Sequence, residues 1–168
     1  MTMTQDWKRK IEELGPCKEA VRWLTGQASF ESAWQTCERG DWMLWLLGKL
    51  SDKPRTSSRK KLVLTACACA RLTLPSAGEN RTVAEHTLEV TEQYARGENG
   101  VTLDDVRAAL ASYAAYAAYV AVAAYGVYGV YGCVVGNRQR SEILNQCAEI
   151  VRQHYNFEEV NSYDYDIS

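Results

Sequence analysis

The longest stretch of this chain without a charged residue lies between Arg107 and Arg138, and it consists mainly of Ala, Tyr, Val and Gly. At about 1.5 Å per residue, a helix through it would exceed about 40 Å, enough to cross a bilayer and enough to form the central helix of a helical domain. Membrane insertion is driven by Leu, Ile, Phe and Val, whereas this run carries Tyr hydroxyls along its whole length. We therefore predict a buried helix of a soluble protein, with a membrane span as the alternative.

The totals of the chain are ordinary for a soluble globular protein, with 168 residues, 46% hydrophobic residues and 24% charged residues. This length fits one domain. The net charge of -2 provides no overall attraction to nucleic acid or to an anionic membrane. The first residues are polar and charged, without the apolar segment of a secretion signal, so we expect a cytoplasmic protein.

The cysteines lie in segments that the pattern predicts to be helical and apolar, where a thiol behaves as a small hydrophobe. On a helix, Cys67 and Cys69 would point about 200° apart, and His86 and His154 are the only other soft ligands in the sequence. We therefore predict no disulfide framework, no metal site and no cofactor.

Helix signals recur along the chain and strand alternation is nearly absent, which favours an all-α fold, a single-domain helical bundle with a long central Ala/Tyr-rich helix. The segment DWMLWLLGKL is apolar almost all round, so its helix must be buried. We assign residues 1–155 to the helical domain and residues 156–168 to an acidic, flexible tail. The predicted N-terminal caps of the helices are Ser29, Asp41, Ser57 or Ser58, and Thr102 with Asp105.

Tyrosines recur every three residues within the charge-free run. On a helix, a three-residue step falls about 60° short of a full turn, so each triplet winds across an arc. The small residues between the tyrosines allow close helix packing, which favours a scaffold role. The alternative is that some tyrosines face a groove and contact a partner or a nucleotide. The two triplets are Tyr113, Tyr116 and Tyr119, and Tyr125, Tyr128 and Tyr131.

Basic side chains cluster between Lys49 and Lys61, and the last three fall in the first turn of a predicted helix, where the helix dipole disfavours positive charge. Three interpretations remain open: a solvated segment, a site for an anionic ligand or partner, and a surface against which the acidic C-terminal segment lies. The candidate anion-binding residues are Arg59, Lys60 and Lys61.

The C-terminal segment interleaves carboxylates with tyrosines. Instead of a solvated tail, it could imitate the charge of a nucleic-acid backbone and occupy a basic partner surface. The candidate partner-binding residues are Glu158, Glu159, Tyr163, Asp164, Tyr165 and Asp166. No pattern in the sequence indicates a nucleophile or a general base, so we predict no catalytic residue and expect that the protein is not an enzyme.

Two segments, followed by the Tyr/Ala repeat, resemble a family of small immunity proteins of bacterial polymorphic-toxin systems. The first is W-x-x-C-x-R-x-D-W-x-L-W, from Trp34 to Trp45, and the second is A-C-x-C-A-R, from Ala66 to Arg71. The resemblance implies an all-helical protein that binds a toxin or effector stoichiometrically, with no chemistry of its own. In these motifs, we expect Arg39 or Arg71 to pair with a carboxylate such as Asp41 or Glu85.

We therefore expect a non-enzymatic binding protein that neutralises a macromolecular partner. It would be a toxin immunity protein or a phage-borne inhibitor of a bacterial defence system, such as an anti-CRISPR protein. The expected partner is a protein toxin or a defence-system component; neither nucleic acid nor a membrane is expected, and homo-oligomer formation stays open. The alternative is a protein that sequesters a small ligand or a nucleotide signal, and a membrane-associated protein is the third hypothesis.

Overall fold

Helical segments alternate with short turns along the chain. A computed structural model describes residues 6–51, 56–77, 81–112 and 137–163, and all regular structure in these ranges is helical. The predicted all-α class is confirmed. The α-helices of these ranges are α1 (Asp6–Glu13), α2 (Lys18–Thr25), α3 (Phe30–Thr36), α4 (Gly40–Leu50), α5 (Ser57–Arg71), α6 (Arg81–Arg96), α7 (Leu103–Ser112), α8 (Asn137–His154) and α9 (Phe157–Ser162), and a short 3-10 helix, Leu74–Ser76, follows α5.

Side-chain caps begin α3 and α7 where the sequence predicts them. The Ser29 hydroxyl accepts the N–H three residues on, at 3.0 Å. At α7, the Asp105 carboxylate accepts the N–H of Thr102 at 2.7 Å, and the Thr102 hydroxyl accepts the N–H of Asp105 at 3.3 Å. This reciprocal pair satisfies two backbone donors that a helix start leaves open.

The predicted cap of α5 is wrong by one or two residues. Thr56, rather than Ser57 or Ser58, is the N-cap, and its hydroxyl accepts the N–H of Arg59 at 3.4 Å. The three hydroxyl residues in sequence offer similar caps, so local pattern alone does not choose among them.

Helix α4 begins at Gly40, so the prediction that Asp41 is its N-cap is wrong. The Asp41 carboxylate accepts hydrogen bonds from the Arg39 side chain instead, and an arginine fork is a stronger donor than a backbone N–H. The burial predicted for this helix is confirmed, and its buried apolar side chains are Met43, Leu44, Leu46 and Leu47.

The prediction of a long helix through the tyrosine ladder falls mostly on residues that the structure does not describe. Helix α7 ends at Ser112, and the ladder, with its six tyrosines, lies outside the described residues.

Two buried clusters hold the described helices together. The larger cluster contains side chains from the first five helices and from α8 and α9. At its centre, Cys147, Val151 and Tyr155 are at most 1% exposed. A smaller cluster lies between α5 and α6 and comprises Cys67, Leu74, Ala84 and Leu88. The core therefore depends on contacts between the first third of the chain and its last helices.

The crossing of α4 and α8 depends on Gly40. A Cβ atom at this position would lie 2.6 Å from the backbone nitrogen of Ala148 and 2.7 Å from the carbonyl carbon of Cys147. Real Cβ atoms do not approach backbone atoms so closely. Only glycine lets α8 lie this near the start of α4.

The boundary predicted between the domain and a flexible tail needs correction. Residues 157–162 form α9, Val160 is fully buried, and the Phe157 ring packs edge-on against Phe30 at 5.5 Å. Asn156 caps the helix by accepting the N–H of Glu159 at 2.8 Å. The cap and the apolar pair three residues apart make this segment part of the domain, whereas residues 164–168 lie outside the described residues.

Across the described ranges, no helix combines the length and hydrophobicity that a membrane span requires.

Candidate binding cleft

An arginine with a fixed orientation lies at the turn between α3 and α4. The Arg39 Nε donates to Asp41 at 2.8 Å, and Nη2 donates to the second carboxylate oxygen of the same residue. The guanidinium carbon lies 4.2 Å from the centroid of the Trp42 ring. The hydrogen bonds to Asp41 raise the pKa of Arg39, so the guanidinium stays charged. An arginine held by a carboxylate and stacked on an indole is oriented before any ligand arrives.

The expectation for the two motif arginines is therefore met in part. Arg39 pairs with Asp41, as expected. Arg71 pairs with Glu92 at 2.7 Å, while Glu85 pairs with Arg81 within α6. Arg71 thus joins α5 to α6 and lies in a structural ion pair.

Trp42 also forms one wall of a cleft between α2, the α3–α4 turn and the start of α8. Its ring lies 5.9 Å from the Trp23 ring, with the two planes tilted by 57°. The cleft has a volume of about 440 Å³, within the range of small-molecule sites. It is lined by Trp23, Thr36, Cys37, Glu38, Arg39, Trp42, Arg140, Ser141 and Leu144.

Arg140, from the first turns of α8, is a second cation at this cleft. Its side chain is half-buried and makes no ion pair with any residue in the described ranges. The cleft lining carries two arginines and Glu38, and Asp41 balances the charge of Arg39. The Arg140 guanidinium and the Nη1 donors of Arg39, which Asp41 does not engage, favour an anionic ligand group near the two indole rings.

An apolar cavity of about 60 Å³ adjoins the cleft, and Trp23, Cys37 and Trp42 line both spaces. Its other walls come from α1 to α4 and the turn before α2. They are Ile11, Pro16, Cys17, Ala20, Leu24, Phe30, Ala33, Trp34, Met43, Trp45 and Leu46.

Two of the three candidate anion-binding residues, Arg59 and Lys61, form hydrogen bonds within the protein. Arg59 donates to the Gly48 carbonyl at 3.1 Å and to the Ser51 hydroxyl at 2.7 Å, which stabilises the carboxyl end of α4. Lys61 donates to both carboxylate oxygens of Glu159, at 2.6 and 2.7 Å. Lys60 makes no ion pair with a described residue. The three side chains do not converge on a common ligand site.

The pairing of Lys61 with Glu159 agrees with the interpretation that the C-terminal segment lies against the basic segment. The Lys61 ammonium also lies 4.3 Å from the centroid of the Tyr155 ring. The Tyr163 hydroxyl donates to Glu159 at 3.4 Å, whereas the Glu158 side chain is exposed. The other candidate partner-binding residues, Asp164, Tyr165 and Asp166, lie outside the described residues.

The cysteines within the described ranges are buried or half-buried. Among the described residues, no group of His, Cys, Asp and Glu side chains is placed to hold a metal ion. Burial raises the pKa of Cys37 to about 11 and that of Cys67 to about 12, so both thiols stay protonated at neutral pH. The His154 ring shares a hydrogen bond of 2.8 Å with the Thr65 hydroxyl.

Sequence reasoning missed the cleft, although it singled out the motif that supplies part of its lining. Cys37, Arg39 and Trp42, which line the cleft, all belong to the first motif of the resemblance. The missing partner was Arg140, which is far away in the sequence and has no distinctive neighbours. The fold alone brings it to Arg39, because Gly40 allows α8 to cross α4 closely.

Models of known protein families, curated proteins and solved structures contain no match to the chain.

Proposed function

We propose that the chain is a non-enzymatic binding protein that neutralises a protein partner, as a toxin immunity protein or as a phage-borne inhibitor of a bacterial defence system such as CRISPR. The observation that supports this proposal most directly is the composition of the cleft. Two tryptophans and two arginines meet there, and these residue types dominate the energetics of protein interfaces. The partner would be a toxin or a defence-system component that presents an acidic segment.

The orientation of Arg39 adds to this proposal. Binding partners lose free energy when they must order flexible side chains. The Asp41 pair and the Trp42 stack already hold the Arg39 guanidinium, so little of that cost remains. A preorganised arginine suits tight stoichiometric binding.

The concave shape of the cleft supports a second function, the sequestering of a small anionic ligand. The volume of about 440 Å³ is large enough for a drug-sized molecule, and an indole face next to an arginine suits an aromatic anion such as a nucleotide. The internal hydrogen bonds of Arg59 and Lys61 make the cleft a better location for this activity than the basic segment.

Native mass spectrometry of the tagged protein, purified from bacteria that carry a candidate toxin or defence system, tests the first function. We expect a protein at fixed stoichiometry with the wild type. The Trp23→Ala and Arg140→Glu variants should lose this protein, because both change the cleft. Lys60→Gln is the matched control, since its charge lies outside the cleft, and it should keep the complex.

Two outcomes would contradict the proposal. If the complex survives both cleft variants, the partner binds elsewhere. If the wild type instead retains a small anion and Arg140→Glu releases it, the sequestering function is the correct one.

A further inference from the structure

The apolar cavity beside the cleft is poorly suited to water. Its volume of about 60 Å³ is several times the roughly 10–15 Å³ that one water molecule needs. A buried water requires about two to four polar partners. The walls are almost entirely apolar side chains, with Ala20, Ala33 and Leu46 among them. An aliphatic group is therefore a better occupant than water.

The cleft determines what this aliphatic group should be attached to. Asp41 engages Nε and Nη2 of Arg39, which leaves the Nη1 donors outside that ion pair. Arg140 lines the same cleft and has no carboxylate partner in the described part of the chain. A carboxylate at this position would gain hydrogen bonds from charged donors, which are the stronger kind.

The two spaces have part of their lining in common. Trp23, Cys37 and Trp42 line the cavity on one side and the cleft on the other. Both tryptophans are half-buried. A ligand lying along these shared residues can therefore place an aliphatic group in the cavity and a polar group in the cleft, where the arginines lie.

We propose that the cavity and the cleft together form an anchor site for a protein segment in which an aliphatic side chain stands next to a carboxylate. The aliphatic side chain packs in the cavity, and the carboxylate meets Arg39 and Arg140. This inference rests on the proposed function, because the segment belongs to the protein partner. It adds the chemical class of the group that the partner must present.

N-acetyl-leucine is a minimal probe for this site, since it carries one aliphatic side chain and one carboxylate. Titration of the ¹⁵N-labelled protein should shift the indole N–H signals of Trp23 and Trp42. The backbone amide signal of Asp105 in α7, which lines neither space, should stay in place. N-acetyl-leucinamide lacks the charge and N-acetylglycine lacks the side chain, so each should bind about tenfold more weakly.

Two variants separate the two halves of the site. Arg140→Gln should weaken binding of N-acetyl-leucine by about tenfold. Ala20→Leu should fill the cavity and abolish binding of N-acetyl-leucine. If the Ala20→Leu variant does not fold, Ala33→Val is used in its place. Lys60→Gln should leave the affinity unchanged. The dispersion of the amide spectrum shows in each case that the fold is intact.

Equal binding of the acid and the amide, or a shift at Asp105 as large as that at Trp42, would overturn the anchor site. Octanoate that binds at least tenfold more tightly than N-acetyl-leucine would overturn the assignment to a protein segment and indicate a free amphipathic acid instead. A partner complex that survives Ala20→Leu but not Arg140→Glu would overturn the anchor site alone. The proposed function would then stand without it.

Discussion

At the scale of single residues, Gly40 determines how closely two helices approach. Gly40→Ala should lower the free energy of unfolding by about 2–3 kcal/mol, because the new methyl group would meet backbone atoms of α8 that cannot move independently. Chemical denaturation monitored by circular dichroism measures the change.

Gly48→Ala is the matched control in the same helix. The nearest atom to its new Cβ would be a side-chain carbon of Leu62 at 3.9 Å, an ordinary contact. This variant should gain about 0.5–1 kcal/mol from the higher helix propensity of Ala. Similar effects of the two substitutions would contradict the close crossing of α4 and α8.

At Arg39, the contacts require a guanidinium group and not only a positive charge. Arg39→Lys keeps the charge but loses the fork on Asp41 and the planar stack on Trp42. We expect a loss of only about 0.5–1 kcal/mol of stability, since the Arg39 side chain is 34% exposed and water screens the pair.

The indole N–H signal of Trp42 should shift in the Arg39→Lys variant, which a chemical-shift comparison measures. Arg22→Lys, at an exposed position of α2, is the control and should change neither stability nor that signal. An unchanged Trp42 signal in Arg39→Lys would show that the guanidinium does not stack on the ring in solution.

At the scale of elements, α9 behaves as part of the domain rather than as a tail. Val160→Ala should lower the free energy of unfolding by about 1.5–2.5 kcal/mol, because it removes two buried methyl groups and leaves a cavity. Glu158→Gln on the same short helix is exposed and should have no measurable effect. A thermal melt that is the same for wild type and Val160→Ala would mean that α9 does not pack on the core.

The element scale also shows where sequence patterns were informative. The caps at Ser29 and at Thr102 with Asp105 were predictable, because a cap depends on residues only three apart. The role of residues 156–163 was not predictable in the same way. The acidic composition of this segment concealed its apolar pair, Phe157 and Val160, whose burial depends on α3 and the larger core.

At the scale of the whole molecule, the buried thiols predict a loss of stability at alkaline pH. The pKa of Cys37 rises from 9.0 to about 11 on burial, and that of Cys67 rises to about 12. At a pH between 9.0 and the raised pKa of each thiol, that thiol is deprotonated in the unfolded chain but still protonated in the folded chain. The free energy of unfolding should therefore fall as the pH rises from about 9 to about 11, by on the order of 2 kcal/mol for Cys37 alone.

Urea denaturation at a series of pH values measures this loss. Stability should not change through these groups below pH 8 or so, since both states hold their protons there. Cys37→Ala should reduce the slope above pH 9, although it lowers the overall stability through its cavity. A slope as steep as that of the wild type would show that the Cys37 thiol is not the source.

The sequence alone determined the all-α class, the burial of α4 and the local caps, because these depend on helical periodicity and on neighbours within one or two turns. It also singled out the motif from Trp34 to Trp45. Only the tertiary structure decided that Lys61 binds Glu159, that α9 is part of the core and that Arg140 joins Arg39 at the cleft. These contacts join residues far apart in the chain, so no local pattern specifies them. The close approach of α8 to α4 at Gly40 is a feature of the same kind.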